Sequence, residues 1–204
     1  AVPALAAEAR VMDAPLLALT RRGPGLIVET AAAENMRQLI QLRWIAVVGQ
    51  TLAILLVHFG FGISLPLVEM LGVAALLAAA NLLATMALPR HRVHSGEVML
   101  ALLIDMAALT LQLYFSGGAT NPFISLYLLQ VVLGAILLPP LAVAVLVAAT
   151  ACGYALLTVS YVPLVLPARL AVTHTDLFAI GHWIGFVMVA WLLVQFIVRI
   201  SRNL

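Results

Sequence analysis

Long apolar runs constrain what this chain can fold into more than any other feature of its sequence. Several stretches without a charged side chain reach about 20 residues or more, the length of α-helix that crosses a bilayer core of ~30 Å. Only 9% of the residues are charged and 65% are hydrophobic, with a mean hydropathy of +1.17. Soluble domains carry about 25% charged residues, so a water-soluble globule is excluded. The sequence therefore predicts an all-α, polytopic membrane protein.

Charged and turn-forming residues divide the apolar sequence into six predicted transmembrane helices. Residues 1–34 contain no apolar run of membrane length, and they are predicted to form a mostly loose cytoplasmic tail. Residues 35–200 form the predicted six-helix domain, and residues 201–204 are expected to begin a cytoplasmic linker. The predicted spans are residues 39–59, 67–88, 97–116, 123–138, 141–161 and 177–200.

The distribution of arginine predicts the orientation. With six spans and a cytoplasmic N-terminus, nine of the ten arginines lie inside, and Arg169 alone lies outside. Cytoplasmic loops carry an excess of basic residues, so both termini are predicted to be cytoplasmic. The net charge of +2 is too small to indicate a nucleic-acid partner. The nine inner residues are Arg10, Arg21, Arg22, Arg37, Arg43, Arg90, Arg92, Arg199 and Arg202.

A short uncharged stretch, here called the GGATNPF loop, connects the third and fourth predicted helices on the outer face. Its two glycines allow a turn with positive φ. Asn121 suits a helix N-cap and Pro122 suits the first helical position. The loop can be a plain turn, which local physics favours, or its amides and its aromatic ring can hold the polar head of a ligand. It consists of Gly117, Gly118, Ala119, Thr120, Asn121, Pro122 and Phe123.

Polar side chains inside the third and fourth helices form two stripes. Two facing stripes of this kind can frame a pocket that leads to the GGATNPF loop. Alternatively, they hydrogen-bond helix to helix, at about 0.6 kcal/mol per contact. The first stripe, at i, i+7 and i+11, is Asp105, Gln112 and Ser116, within ~20° of one line. The second, at i, i+4 and i+7, is Phe123, Tyr127 and Gln130.

Asp105 is a candidate functional residue by itself. An acidic side chain in the middle of a membrane span costs much free energy to insert and usually has a function. Asp105 precedes Gly117 by ~18 Å of helix, which is too far for contact with a ligand at the loop. Desolvation disfavours a charged carboxylate. Asp105 is therefore expected to be neutral at rest and to act as a structural or proton-linked element.

The sequence signals for a function are weaker at the remaining candidate residues. Arg43 suits the membrane interface at the start of the first span. It also shares one face of that helix with Gln50, and both residues are assigned to helix packing. Cys152 is the only cysteine, which excludes an intrachain disulfide, and it is expected to be buried and inert. Gly181 and Gly185 form a GxxxG pattern that fits close helix packing or a homodimer contact. No nucleotide-binding loop, nucleophile–base pair or metal cluster can be assembled from the sequence, which predicts no catalytic residue and no metal.

The heptapeptide Gly117–Phe123 matches the pattern G-G-x-x-N-P-F, and the chain resembles the RegB/PrrB/ActS family of redox-sensing membrane histidine kinases. The likeness runs from about residue 35 to 203. It includes the L-R-W and A-V-x-G-Q elements of the first span and the position of Asp105. The resemblance implies a homodimeric six-helix sensor in the bacterial inner membrane that binds ubiquinone. Such a sensor sets the autophosphorylation of a cytoplasmic kinase, which signals to a response regulator.

Within that resemblance, the quinone head is expected at the GGATNPF loop and its tail along helices three and four. The backbone amides of Gly118 to Asn121 and the Asn121 side chain would address a quinone carbonyl, and Phe123 would pack on the ring. The chain ends before the family's phosphoacceptor histidine, ATP-binding domain and redox-active cysteine, so it is expected neither to bind ATP nor to phosphorylate itself. Two alternatives stay open: a small membrane transporter or scaffold, and a kinase sensor that reads a membrane-protein partner.

Overall fold

The computed structural model describes residues 24–88, 93–167 and 174–201, and every regular element in these ranges is helical. The prediction of an all-α fold is confirmed. A π-helical turn at Leu56–Gly60 extends the first helix, and two 3-10 turns at Gly118–Thr120 and Pro122–Ser125 separate the third from the fourth. The helices are α1 Pro24–Leu55, α2 Leu67–Ala87, α3 Ser95–Tyr114, α4 Leu126–Leu137, α5 Pro140–Val159 and α6 His174–Ser201.

Four helices in the described ranges are long and apolar enough to cross a membrane, which makes this chain a membrane protein. They are α2, α3, α5 and the segment Ala32–Gly60 of α1 with its π-helical turn. The other two apolar helices are shorter. Pro122–Leu137, which is α4 with the preceding turn, provides about 24 Å of helix, and α6 contributes Ala179–Gln195.

Helix α1 begins earlier than the sequence predicts, because the expected loose tail is helical from residue 24 to residue 34. Pro24 stands in the first turn, where a missing N–H is tolerated. Ala32 is 4% exposed and belongs to a hydrophobic cluster with Val98 of α3 and Leu137 of α4. That burial favours an ordered helix over a solvated tail. The predicted tail at residues 1–23 and linker at 202–204 lie outside the described residues.

The main core lies where α1, α3, α4 and α5 pack together. Leu102 of α3 and Leu146 of α5 are both 0% exposed within it. Gly134 of α4 lets Leu146 approach the α4 backbone, because a side chain at residue 134 would overlap Leu146. The outer surface carries large apolar side chains such as Val68 and Leu141, as expected for a surface that faces lipid.

Cys152 is exposed on α5, so the prediction that it is buried is wrong. Helix α5 packs against α3 and α4 on the side of Leu146 and Leu157, which are both 0% exposed. Cys152 lies roughly 120–140° around the helix from those two leucines. An apolar helix gives no signal of which side faces protein and which faces lipid, and for this reason the sequence alone misplaces the cysteine.

Candidate functional site

The backbone of the GGATNPF loop takes the form that its sequence predicts. Gly117 has φ +101° and ψ +8°, and Gly118 has φ +62°, so both occupy the left-handed region that glycine reaches without strain. The 3-10 turn Gly118–Thr120 follows, and Asn121 is extended with φ −67° and ψ +131°. Pro122 then opens the next helical turn. The predicted positive-φ glycine pair and the predicted proline at the first helical position are both confirmed.

The end of α5 and the segment after it pack directly on the two glycines. A Cβ on Gly118 would lie 2.6 Å from Tyr161 Cβ and 2.7 Å from the Leu157 carbonyl oxygen. A Cβ on Gly117 would lie 3.0 Å from Leu164 Cδ1. The loop is therefore enclosed on this side. Both positions require glycine for their φ, and Gly118 requires it for space as well.

The Asn121 side chain holds the loop closed. Its Oδ1 accepts a hydrogen bond from the Phe123 amide at 2.8 Å, which confirms the predicted N-cap. Its Nδ2 donates to the Ser116 carbonyl oxygen at 2.8 Å and contacts Ser116 Oγ at 2.7 Å. Asn121 is 7% exposed. The structure thus engages both ends of the carboxamide within the loop, and it does not offer this side chain to a quinone carbonyl as expected.

Four other residues of the loop, which are Ala119, Thr120, Pro122 and Phe123, keep accessible surface. Thr120 is exposed, and its hydroxyl donates to the Gly117 carbonyl oxygen at 2.8 Å. Ala119 and Phe123 are partly buried against a cluster that contains Leu113 of α3. The surface of the loop that a ligand can reach therefore consists of one hydroxyl, one methyl group, one proline ring and one aromatic ring.

Asp105 forms a buried ion pair with Arg43 of α1. Arg43 Nε lies 2.6 Å from Asp105 Oδ1, and Arg43 Nη2 donates to Asp105 Oδ2 at 3.0 Å and to the Ala101 carbonyl oxygen at 3.1 Å. The side chains are 5% and 13% exposed. Arg43 therefore lies inside the helix bundle rather than at the interface, and its assignment to helix packing is confirmed. The signal that could have found the pair is simple: a buried acid in a membrane needs a cation, and Arg43 lies within the first predicted span.

The rest of the first stripe connects α3 to α2 and to the loop. Gln112 is 7% exposed and donates through Nε2 to the Met70 carbonyl oxygen of α2 at 2.9 Å. Ser116 donates from Oγ to the Gln112 carbonyl oxygen at 2.6 Å and contacts Asn121 as described. Asp105 and Gln112 thus face α1 and α2, whereas Ser116 belongs to the closure of the GGATNPF loop.

The second stripe does not face the first. Tyr127 is 3% exposed, and its hydroxyl lies 2.6 Å from Thr110 Oγ1. Thr110 is roughly 140–160° around α3 from Asp105 and Gln112. The structure therefore does not bring the two stripes together as the walls of one pocket. Their contacts have the helix-to-helix character that was the alternative. Gln130 is half-buried on α4, and within the described residues its Oε1 accepts no hydrogen bond.

Helix α6 packs on the loop, a contact that no sequence pattern indicates. Gly181 and Gly185, the two glycines of the GxxxG pattern, lie directly against Pro122. Gly153 of α5 makes room for the Tyr127 hydroxyl, since a Cβ at residue 153 would lie 2.9 Å from that oxygen. Each of these contacts joins residues distant in sequence, and each depends on a missing side chain.

Comparison with known proteins gives a match that covers most of the chain. Over 156 residues the chain is 31% identical to a protein from Cereibacter sphaeroides described as "Sensor histidine kinase RegB". The match covers 76% of this chain and 34% of the relative, so the chain spans about a third of the relative's length. No family model matches the chain, and no solved structure matches it.

Proposed function

We propose that this chain, a membrane sensor domain of the RegB family of sensor histidine kinases, is the input domain through which ubiquinone controls a cytoplasmic kinase. The GGATNPF loop carries this proposal. It matches the family's heptapeptide at every specified position, and its two glycines, its N-cap and its proline each have a defined place in a closed turn. In this proposal the chain binds no metal, and ATP is bound only by the kinase domain.

The accessible side of the loop suits a quinone head and tail. The Phe123 ring can pack on the quinone ring. The Thr120 hydroxyl donates its hydrogen to the Gly117 carbonyl oxygen, and its oxygen can accept a hydrogen bond from a quinol. The exposed side chains of Leu111 on α3 and Leu128 on α4 provide an apolar path for the tail. Asn121 contributes by holding Phe123 in place through the Phe123 amide.

Signalling requires that the site distinguish two states. A quinone carbonyl only accepts hydrogen bonds, whereas a quinol hydroxyl can also donate, so the two redox forms make different contacts with the Thr120 hydroxyl. Only such a difference in affinity can shift the equilibrium between two helix arrangements. A difference of about 1.4 kcal/mol changes the ratio of the two states tenfold. One or two hydrogen bonds supply a difference of this size.

The proposed topology has six crossings, with both termini in the cytoplasm and the loop at the outer face of the bacterial inner membrane. The arginine distribution supports this orientation. Helix α6 has 28 residues, about 42 Å, which is more than a bilayer core requires. We further propose that the intact protein is a homodimer in contact with membrane lipid and the quinone pool, and that its kinase phosphorylates a response regulator, as the family resemblance implies.

Ubiquinone binding to the chain in nanodiscs tests this proposal. We expect binding in the micromolar range for the unaltered chain. Phe123→Ala should raise the Kd about three- to tenfold, because it removes an aromatic contact of about 0.5–1.5 kcal/mol. Phe59→Ala is the matched control: it removes the same ring from a position that is 71% exposed and outside the loop, and it should leave the Kd unchanged.

Two results would contradict the proposal. If the unaltered chain does not bind ubiquinone, the loop is a helix turn and the sensed signal must come from another source, such as a membrane-protein partner. If Phe123→Ala and Phe59→Ala bind equally well, ubiquinone binds elsewhere in the chain. Control of the kinase is measured separately, as ubiquinone-dependent autophosphorylation of a protein in which this domain is joined to its kinase domain.

A further inference from the structure

The last helix approaches the GGATNPF loop at the two glycines of the GxxxG pattern. A Cβ on Gly181 would lie 2.8 Å from Pro122 Cγ, and a Cβ on Gly185 would lie 2.7 Å from the Pro122 carbonyl oxygen. Real Cβ atoms do not make contacts this short, so α6 can lie against the loop only because both residues are glycine. Within this chain, the pattern serves close packing between α6 and the loop.

Apart from this contact, helix α6 packs against little of the described part of the protein. Its main contacts in the described part of the chain are with the turn Pro122–Ser125 and with α4. Large side chains along it are exposed, among them Trp183 at 67%, Phe186 at 68% and Trp191 at 57%. A helix with few protein neighbours can shift by 1–2 Å without breaking a packed core, and shifts of about this size occur at helix interfaces in known switches.

We infer that the contact of Pro122 with Gly181 and Gly185 transmits the state of the GGATNPF loop to α6. This inference rests on the proposed function, because it names the route by which a quinone at the loop reaches the C-terminal helix. Phe123 follows Pro122 directly, so a ligand that displaces Phe123 also displaces Pro122 and the helix packed on it. Gly181 and Gly185 are positioning residues and do not touch the ligand.

The test measures the position of α6 with and without ligand. Spin labels are attached at Val198→Cys on α6 and Leu83→Cys on α2, both exposed positions, in a Cys152→Ser background. Saturating oxidised ubiquinone should shift the distance between the labels by about 2 Å in this reference protein in nanodiscs. Ubiquinone binding is measured on the same samples, so that binding and movement are scored independently.

Three alanine variants locate the route. Gly185→Ala should abolish the ubiquinone-dependent shift and keep the Kd within about threefold of the reference, because the added methyl group separates α6 from the Pro122 backbone. In the Gly181→Ala protein the added methyl group meets only the edge of the proline ring, and the ubiquinone-dependent shift should be reduced. This variant provides the test if the Gly185→Ala protein does not fold. Gly72→Ala is the matched control, since nothing lies within 4 Å of the added Cβ, and it should behave as the reference.

Each other result overturns the inference in a recognisable way. If the reference binds ubiquinone and α6 does not move, the proposed function stands and the route is wrong. A full shift in both the Gly185→Ala and Gly181→Ala proteins also refutes the route. Loss of ubiquinone binding in both variants would make the glycines part of the binding site instead. If the reference itself does not bind ubiquinone, the proposed function fails, and the inference fails with it.

Discussion

Removing one member of the Arg43–Asp105 pair should destabilise the fold far more than removing both. Two short contacts, of 2.6 and 3.0 Å, join the guanidinium to the carboxylate, and the side chains are 5% and 13% exposed. Breaking a buried ion pair costs about 3–5 kcal/mol because a lone charge is left behind, whereas replacing both partners by apolar residues is often neutral or stabilising. The double variant Arg43→Met with Asp105→Leu should therefore stay within about 1 kcal/mol of the unaltered chain.

The two single replacements should not cost the same. Asp105→Leu leaves a guanidinium that cannot lose its proton in a protein. Among the residues that the structure describes, this guanidinium retains only the Ala101 carbonyl oxygen as a partner. We expect Asp105→Leu to lower the free energy of unfolding by about 3–5 kcal/mol. Arg43→Met leaves a carboxyl group, which can take up a proton and become neutral. Arg43→Met should therefore lower the free energy of unfolding by about 1–3 kcal/mol, which is the penalty for a buried polar group without a partner.

Unfolding by SDS in mixed micelles, followed by circular dichroism, measures these free energies. Leu52→Ala on α1 is the control, because Leu52 is 62% exposed and its truncation leaves no cavity in the protein. We expect a large favourable coupling energy between Arg43 and Asp105 in the double-mutant cycle. If the double variant costs as much as the two single variants together, Arg43 and Asp105 do not act as a pair and the interpretation fails.

Two further stability predictions follow from the loop and from the α3–α4 contact. Gly118→Ala should cost about 1–2 kcal/mol for its left-handed φ alone, and more for the clash with Tyr161. Gly72→Ala, with open space around it, should be neutral or stabilising in the same SDS unfolding assay, and equal behaviour of the two would contradict the loop geometry. Tyr127→Phe should cost about 0.6 kcal/mol and at most about 1.7 kcal/mol. The cost should vanish in a Thr110→Val background, and an undiminished cost there would show that the Tyr127 hydroxyl bonds elsewhere.

The helices and the local form of the loop could be predicted from the sequence because the signals are local. Prolines, glycines and charged residues interrupt the apolar runs, and the second predicted span, residues 67–88, differs from α2, Leu67–Ala87, by one residue. The cap at Asn121 and the positive φ values of the glycines follow from the chemistry of single residues. The early start of α1 was missed because its support comes from distant side chains in α3 and α4.

The contacts between helices could not be predicted in the same way. A helix in a membrane is apolar on the side that faces protein and on the side that faces lipid, so its sequence carries little of the periodicity that orients a soluble helix. For this reason the sequence misplaces Cys152. It also cannot decide whether the stripes of Asp105 and Tyr127 frame one pocket or make separate helix-to-helix contacts. Arg43 and Asp105 are 62 residues apart, and only the rule that a buried charge needs a partner connects them.

The closure of the GGATNPF loop also bears on how the chain enters the membrane. The hydrogen bonds that hold the loop join residues at most five positions apart, from Gly117–Thr120 to Ser116–Asn121. Closing so short a segment costs little chain entropy and needs no other helix to be present. Helices α3 and α4 can therefore form a hairpin as soon as both have been synthesised and insert as one unit. The turn would then be complete before α5 and α6 arrive to pack on it.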